Sequence, residues 1–115
     1  MQNVVAPRVV REQEGTPFSV SDALQVQDLI NEHGFPFSVA RVTVTGQNEP
    51  TINPYCDTTY YVLEGRGHFT IAGQEYDVEA GNLIIIPKET PYQDRGEPTL
   101  GLLAISSPRF PGNLD

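Results

Sequence analysis

The chain predicts an all-β fold on three observations. Ten glycines and ten prolines are spread through 115 residues, the runs between them are short and apolar, and several of those runs alternate with period two. Turn residues at this density cut the chain into strand-length pieces, which suits a sandwich or barrel and argues against a helical bundle. The length suits one domain with one modest core. Residues 1–115 are read as a single domain: N-terminal strands over 1–50, two glycine-anchored motifs over 51–96, and a closing strand with its tail over 97–115.

Taken in order, the N-terminal third is the hardest to assign. Ser21 ahead of Asp22–Ile30 is compatible with an N-capped helix, but Leu24, Val26 and Ile30 also fit an alternation interrupted by Asp28, and a strand is preferred. Asn31-Glu32-His33-Gly34 supplies turn chemistry. Ser38 to Val44 is rich in β-branched residues and predicts a half-buried strand ending at Gly46. Tyr60–Leu63 is the next strand. After Gly65-Arg66-Gly67, His68–Ile71 alternates again, and Ala72-Gly73-Gln74 turns it back into Glu75–Val78 as a hairpin. Leu83–Ile86 is continuously apolar and predicts a strand buried on both faces, stopped by Pro87, which has no N–H to donate. Leu100–Ser106 reads as the closing strand, and the proline-rich stretch from Ser107 to Asp115 as a surface tail.

Fifteen acidic against seven basic side chains give a formal charge of −8, which repels phosphate backbones and anionic bilayers. Neither nucleic acid nor a membrane is expected as a partner. The segment from Met1 to Arg8 has no signal-like apolar run and no later segment reaches spanning length, so a cytoplasmic, soluble protein is expected. Cys56 is the only cysteine, which fits a reducing compartment, and with no histidine beside it in sequence it is read as unreactive.

Two segments carry a more specific signal: Tyr60-Tyr61-Val62-Leu63-Glu64-Gly65 and, sixteen positions on from Gly65, Gly81-Asn82-Leu83-Ile84-Ile85-Ile86-Pro87. With them, Thr51–Phe110 resembles the small single-domain cupins. That resemblance implies a cupin jelly-roll barrel, two antiparallel sheets closing around a pocket, and a homodimer. The family's first motif is His-x-His, three or four residues, Glu, six residues, Gly. Thr58 takes the glutamate's place seven before Gly65, and the histidines fall on Ile52 and Pro54 or on Thr51 and Asn53. The second motif, Gly, five residues, Pro-x-Gly-x-x-His, three residues, Asn, lands on Gly81, Pro87, Glu89, Tyr92 and Gly96. The first glycine and the proline match, and no metal-ligand position does.

Strand parity then sorts the pocket lining implied by the resemblance. With Thr58 inward, Tyr60 and Val62 follow it and Tyr61 and Leu63 face away; with Tyr92 inward, Asp94 follows. The expected polar lining is Asn53, Thr58, Tyr60, Tyr92 and Asp94, with Tyr55 less secure because Pro54 interrupts the strand beside it. Arg41 is a further candidate for a substrate carboxylate or phosphate, its face not fixed by any motif. Phenols, threonine and asparagine are poor ligands for a divalent ion, so no metal and no other cofactor is expected, and His33 and His68 are read as surface residues.

What remains suits acid and base chemistry. A carboxylate among phenols is poised as a general base, and a phenol two residues away as a proton donor or oxyanion stabiliser, so Asp94 and Tyr92 are the candidate catalytic pair, with Asn53, Tyr55, Thr58, Tyr60 and Arg41 as candidate substrate contacts. The expected activity is metal-independent, of isomerase, cyclase or lyase type, on a small carbonyl-containing metabolite. Three alternatives stay open: a non-catalytic cupin that binds a small molecule as a sensor or accessory subunit, a metal cupin with unusual ligands, and a hydrogen-bonded Tyr92–Asp94 plug that merely replaces a metal cluster.

Overall fold

The computed structural model describes residues 6–111, so the first five residues and the end of the tail lie outside the description. A single 3-10 turn, Glu12–Glu14, precedes seven strands: β1 (Thr16–Ser19), β2 (Leu24–Ile30), β3 (Ser38–Gln47), β4 (Asp57–Ile71), β5 (Gln74–Glu79), β6 (Leu83–Ile86) and β7 (Tyr92–Ser107). All pairings are antiparallel, in the order β1-β2-β3-β7-β4-β5, with β6 paired to the first half of β4. This is an all-β fold, as the turn density predicts, and a jelly-roll barrel, as the resemblance implies.

The long strands β4 and β7 run the whole length of the sheet and bend together. Their register shifts between Val62 and Glu64 and again between Gly65 and Gly67. Such irregularities turn a barrel corner. Gly65 explains why a glycine stands there: its φ is +79°, and a Cβ would lie 2.2 Å from the Thr99 carbonyl oxygen, so only a residue without a side chain lets the strands cross this closely. Glu89, in the place of the second motif's inner glycine, keeps the left-handed backbone at φ 65° and donates its N–H to the Asn53 carbonyl at 2.7 Å.

Alternation builds the core. Val42 and Val44 of β3, Tyr60 and Val62 of β4, Ile84 and Ile86 of β6, and Leu100 and Leu102 of β7 all face inward, joined by Phe69 and Val78. Val44, Val62, Phe69, Leu100 and Leu102 are wholly inaccessible. At roughly 2 kcal/mol for each large apolar side chain, this burial is the main force holding the fold. Tyr61 and Leu63 are exposed, as parity predicts.

Three expectations change. β6 is not buried on both faces: Leu83 and Ile85 are 59% and 66% exposed, because antiparallel sheets pack on one side only and no described residue covers the other. The closing strand starts eight residues earlier than expected, at Tyr92. β1 has no strand signal of its own, Pro17 interrupting it, and it exists by pairing with β2. The tail is anchored to the β2–β3 connection: Asn31 Nδ2 donates to the Phe110 carbonyl at 2.9 Å, and the Phe110 N–H donates to Ser38 Oγ at 2.9 Å.

Candidate functional site

The bend in β4 and β7 brings four polar side chains together inside the barrel. Tyr60 sits on the first half of β4, Tyr92 and Asp94 at the start of β7, and Asn48 just beyond β3. The Tyr60 and Tyr92 hydroxyls lie 2.9 Å apart. Asn48 Nδ2 donates to Asp94 Oδ1 at 2.9 Å, while the Asn48 N–H donates to the Asp94 carbonyl at 3.0 Å. Phe69 fixes the rings from below, stacked on Tyr92 with centroids 6.3 Å apart and tilted against Tyr60 at 5.7 Å.

Burial controls the protonation of this group. Asp94 is 3% exposed, and desolvation raises its pKa above the usual carboxylate range, partly offset by the Asn48 amide. Its side chain makes no ion pair with any described residue. Burial pushes Tyr60 well above the ordinary phenol range, with Tyr92 and the Asp94 charge adding to it. Tyr92 is raised by burial too, the Tyr60 hydroxyl working against that rise and the Asp94 charge with it. Tyr92 is only half-buried, so the cluster meets the outside through it. Tyr92 and Asp94 make no hydrogen bond to each other; each has its own partner.

The other sequence candidates take different places. Thr58 is buried on the inner face of β4, level with Ser106 and Ile86. Asn53 folds the preceding loop: its Oδ1 accepts the N–H groups of Tyr55 and Cys56 at 2.8 and 3.1 Å, a local turn that occupies the side chain. Tyr55 is 58% exposed and packs edge-on against Phe110, outside the barrel. Arg41 is likewise on the outer face, paired with Glu64, because Val42 and Val44 take the inward positions of β3. Tyr55 and Arg41 therefore stand apart from the polar cluster, and the Asn53 side chain makes its hydrogen bonds within its own loop. Asn48, which joins it, is missing from the sequence reading: it sits in a polar loop whose only distinction, its position beside Asp94, depends on β3 tracking β7 past the irregularity at Thr45 and Gln47.

The residues at the family's metal-ligand positions do not fit a divalent ion. Thr58 offers a neutral oxygen, Tyr92 is held in its neutral form by burial, and Asp94 is the one carboxylate in the cluster. Among the described residues no three His, Cys, Asp or Glu side chains are grouped to hold an ion. His68 is on the outer face, between Asp77 at 2.6 Å and Glu97 at 2.9 Å, and His33 contacts Arg109. Cys56 is fully buried, and desolvation raises its thiol pKa. Three surface cavities, of about 690, 340 and 390 Å³, lie around Glu64 to Arg66, beside Arg41 on β2 and β3, and around His68; none of the three is lined by Tyr92 or Asp94.

Fold and motif define the class, a small single-domain cupin, and a cupin domain profile matches residues 39–95. The chain belongs to the cupin family. Over 101 residues it is 27% identical to the uncharacterized protein MJ1618 of Methanocaldococcus jannaschii, covering 82% of this chain and 81% of that one. Among solved structures it resembles Streptomyces Pac13 bound to uridine, with TM-score 0.80 and 20% identity over 93% of this chain and 86% of that one. Pac13 is described as a nucleoside dehydratase. Ectoine synthase from P. lautus gives TM-score 0.82 and 14% identity over 90% and 80% of the two chains. At these identities the structural likeness shows the fold. No helix among the described residues is long and apolar enough to cross a membrane.

Proposed function

We propose that this cupin acts on a small carbonyl-containing metabolite by metal-independent acid and base chemistry, of isomerase, cyclase or lyase type. The observation that carries the reading is a buried carboxylate without a counter-ion, Asp94, beside two hydroxyl-linked phenols. Tyr60, the deeper phenol, keeps its proton and donates it in a hydrogen bond to Tyr92, which leaves the Tyr92 O–H free to donate to a substrate carbonyl oxygen. Ionised Asp94 takes a proton from the carbon next to that carbonyl, and the charge that develops on oxygen is held by Tyr92. Where that carbon bears a hydroxyl, returning the proton to the former carbonyl carbon while the hydroxyl proton passes to the other oxygen completes an isomerisation; expulsion of a β-carbon substituent with its electron pair, as the enolate reforms the carbonyl, completes an elimination. Asn48 holds Asp94 in place throughout.

The test is C–H exchange in D2O followed by NMR, with a panel of ketoses, 2-oxo acids and nucleosides that begins with uridine. One compound should exchange or convert at an enzyme-dependent rate, falling about a hundredfold or more in Asp94→Asn and about tenfold or more in Tyr92→Phe. Unchanged rates in both variants would rule out the assignment.

A second reading is a binding module without catalysis, supported by Asp94 already having a partner in Asn48. A panel compound that binds and is recovered unchanged supports it.

Two copies of the chain are proposed to associate through the outer face of β4 and β6. Tyr61, Leu63, Leu83 and Ile85 are all exposed there, with Tyr61 opposite Leu83 in the register, an apolar surface of the kind that marks an interface.

A further inference from the structure

Asp28 is partly buried, and its carboxylate has no hydrogen bond or ion pair with any described residue. Desolvation raises its pKa, with no compensating group nearby. It stands on the same face of β2 as Leu24 and Val26, both packed against the core, and so belongs to the inner face of the sheet. A partly buried charge without a partner costs stability, which makes a structural purpose for it hard to find.

The register shows what the carboxylate faces. One inner row runs Thr16, Asp28, Ala40, Ala104, Tyr60 across five strands. Three strand spacings of about 4.8 Å put the Asp28 and Tyr60 Cα atoms about 14 Å apart in the plane of the sheet. The two positions between them are alanines, whose side chains cover the least of that floor. The inner row on one side is bulkier, Val26, Val42, Leu102 and Val62, and the row on the other is small and polar, Ser38, Ser106 and Thr58. The low strip leads from an unpaired acceptor to the phenol whose hydroxyl meets Tyr92.

We propose that Asp28 is a ligand-binding residue of the same pocket, accepting hydrogen bonds from a donor-bearing end, hydroxyls or an ammonium group, of the compound whose carbonyl meets Tyr92. This rests on the carbonyl reading above and narrows its substrate class to carbonyl compounds that carry donors several atoms from the reacting carbon. Asp28 binds and does not react, so its loss weakens association without touching the chemistry of Asp94.

The experiment compares three ketones with one six-carbon skeleton, 2-hexanone, 6-hydroxy-2-hexanone and 6-(dimethylamino)-2-hexanone, whose donors lie four carbons from the carbonyl, by NMR titration of the protein labelled on its tyrosine rings. At least one donor-bearing ketone should bind about tenfold or more tightly than 2-hexanone, and that advantage should vanish in Asp28→Ala. A gain confined to the amino compound identifies an ammonium ligand, and a gain for the hydroxy compound identifies a hydroxyl. Asp28→Asn and Asp28→Ala should melt at or above the wild-type temperature, and a clear fall in either would assign Asp28 to the fold and overturn the proposal. If 2-hexanone moves the Tyr60 and Tyr92 signals and neither donor-bearing ketone binds better, Asp28 is excluded while the carbonyl site stands. If no compound moves those signals, both readings fall.

Discussion

Tyr60 lies eleven residues before Ile71, the residue paired with Tyr92, so in a straight strand Tyr60 and Tyr92 would be about 36 Å apart along the chain direction. Their hydroxyls are 2.9 Å apart. The barrel closes because β4 and β7 bend together at Gly65, and the phenol pair is the chemical product of that closure. Removing the Tyr60 hydroxyl in Tyr60→Phe should cost about 1 kcal/mol. It should also raise the Tyr92 pKa further, since the hydroxyl that lowers it is gone. Tyrosine-ring NMR across alkaline pH reads both effects, and an unmoved Tyr92 would show that the pair does not form in solution.

Asp94 sets a pH dependence whose sign follows from its environment. Its folded pKa is raised, so the folded state holds this proton more tightly than the unfolded chain. The stability it contributes is complete below the ordinary carboxylate pKa of about 4 and is lost as pH rises through the higher folded value. Denaturant melts across that window should show wild type losing stability relative to Asp94→Asn as pH increases. The opposite slope would mean that the carboxylate is stabilised in its charged form.

Phe69 is inaccessible to solvent and supports both phenols. Phe69→Ala should cost about 3–5 kcal/mol in chemical denaturation. A loss under 1 kcal/mol would show that the aromatic group is loosely packed.

Two glycines with similar backbones should respond differently. Gly65 and Gly73 both have positive φ, +79° and +83°, but a Cβ at Gly65 meets the Thr99 carbonyl at 2.2 Å, whereas nothing lies within 4 Å of one at Gly73. Gly73→Ala should cost about 1 kcal/mol from backbone strain alone, and Gly65→Ala several-fold more, with loss of the corner. Equal melting temperatures for the two variants would remove Gly65 from its role in closure.

The exposed pair Leu83 and Ile85 tests the proposed self-association. Ile85→Lys should shift the sedimentation of the protein from dimer to monomer while leaving its melting curve nearly unchanged, because Ile85 adds little to the core of one copy. A wild-type protein that sediments as a monomer at all concentrations would discard the interface.

Much of the architecture was legible from local pattern. The Ser38–Gln47 strand, the hairpin turning at Ala72-Gly73, and the inward set Thr58, Tyr60 and Val62 follow from period-two alternation and from turn residues, which act over a few neighbours. The exposure of Leu83 and Ile85 was not legible, because a run of apolar residues does not say whether a second layer covers it. Tyr55 was placed by motif arithmetic in the pocket, while the turn made by the Asn53 side chain leaves it exposed outside the barrel. Asn48 and Asp28 carried no motif at all.

The sequence by itself determined the strands from β2 onward, though not all their bounds, the acidic composition and the replacement of the family's metal ligands by Thr58 and Tyr92, since each of these is a property of residue identity and short spacing. Only the tertiary structure decided which polar side chains meet: Asn48 with Asp94, Tyr60 with Tyr92, and Asp28 in line with Tyr60. The physical reason is that these partners are 32 to 46 residues apart and are joined through cross-strand register and a bend at Gly65, neither of which any local pattern encodes.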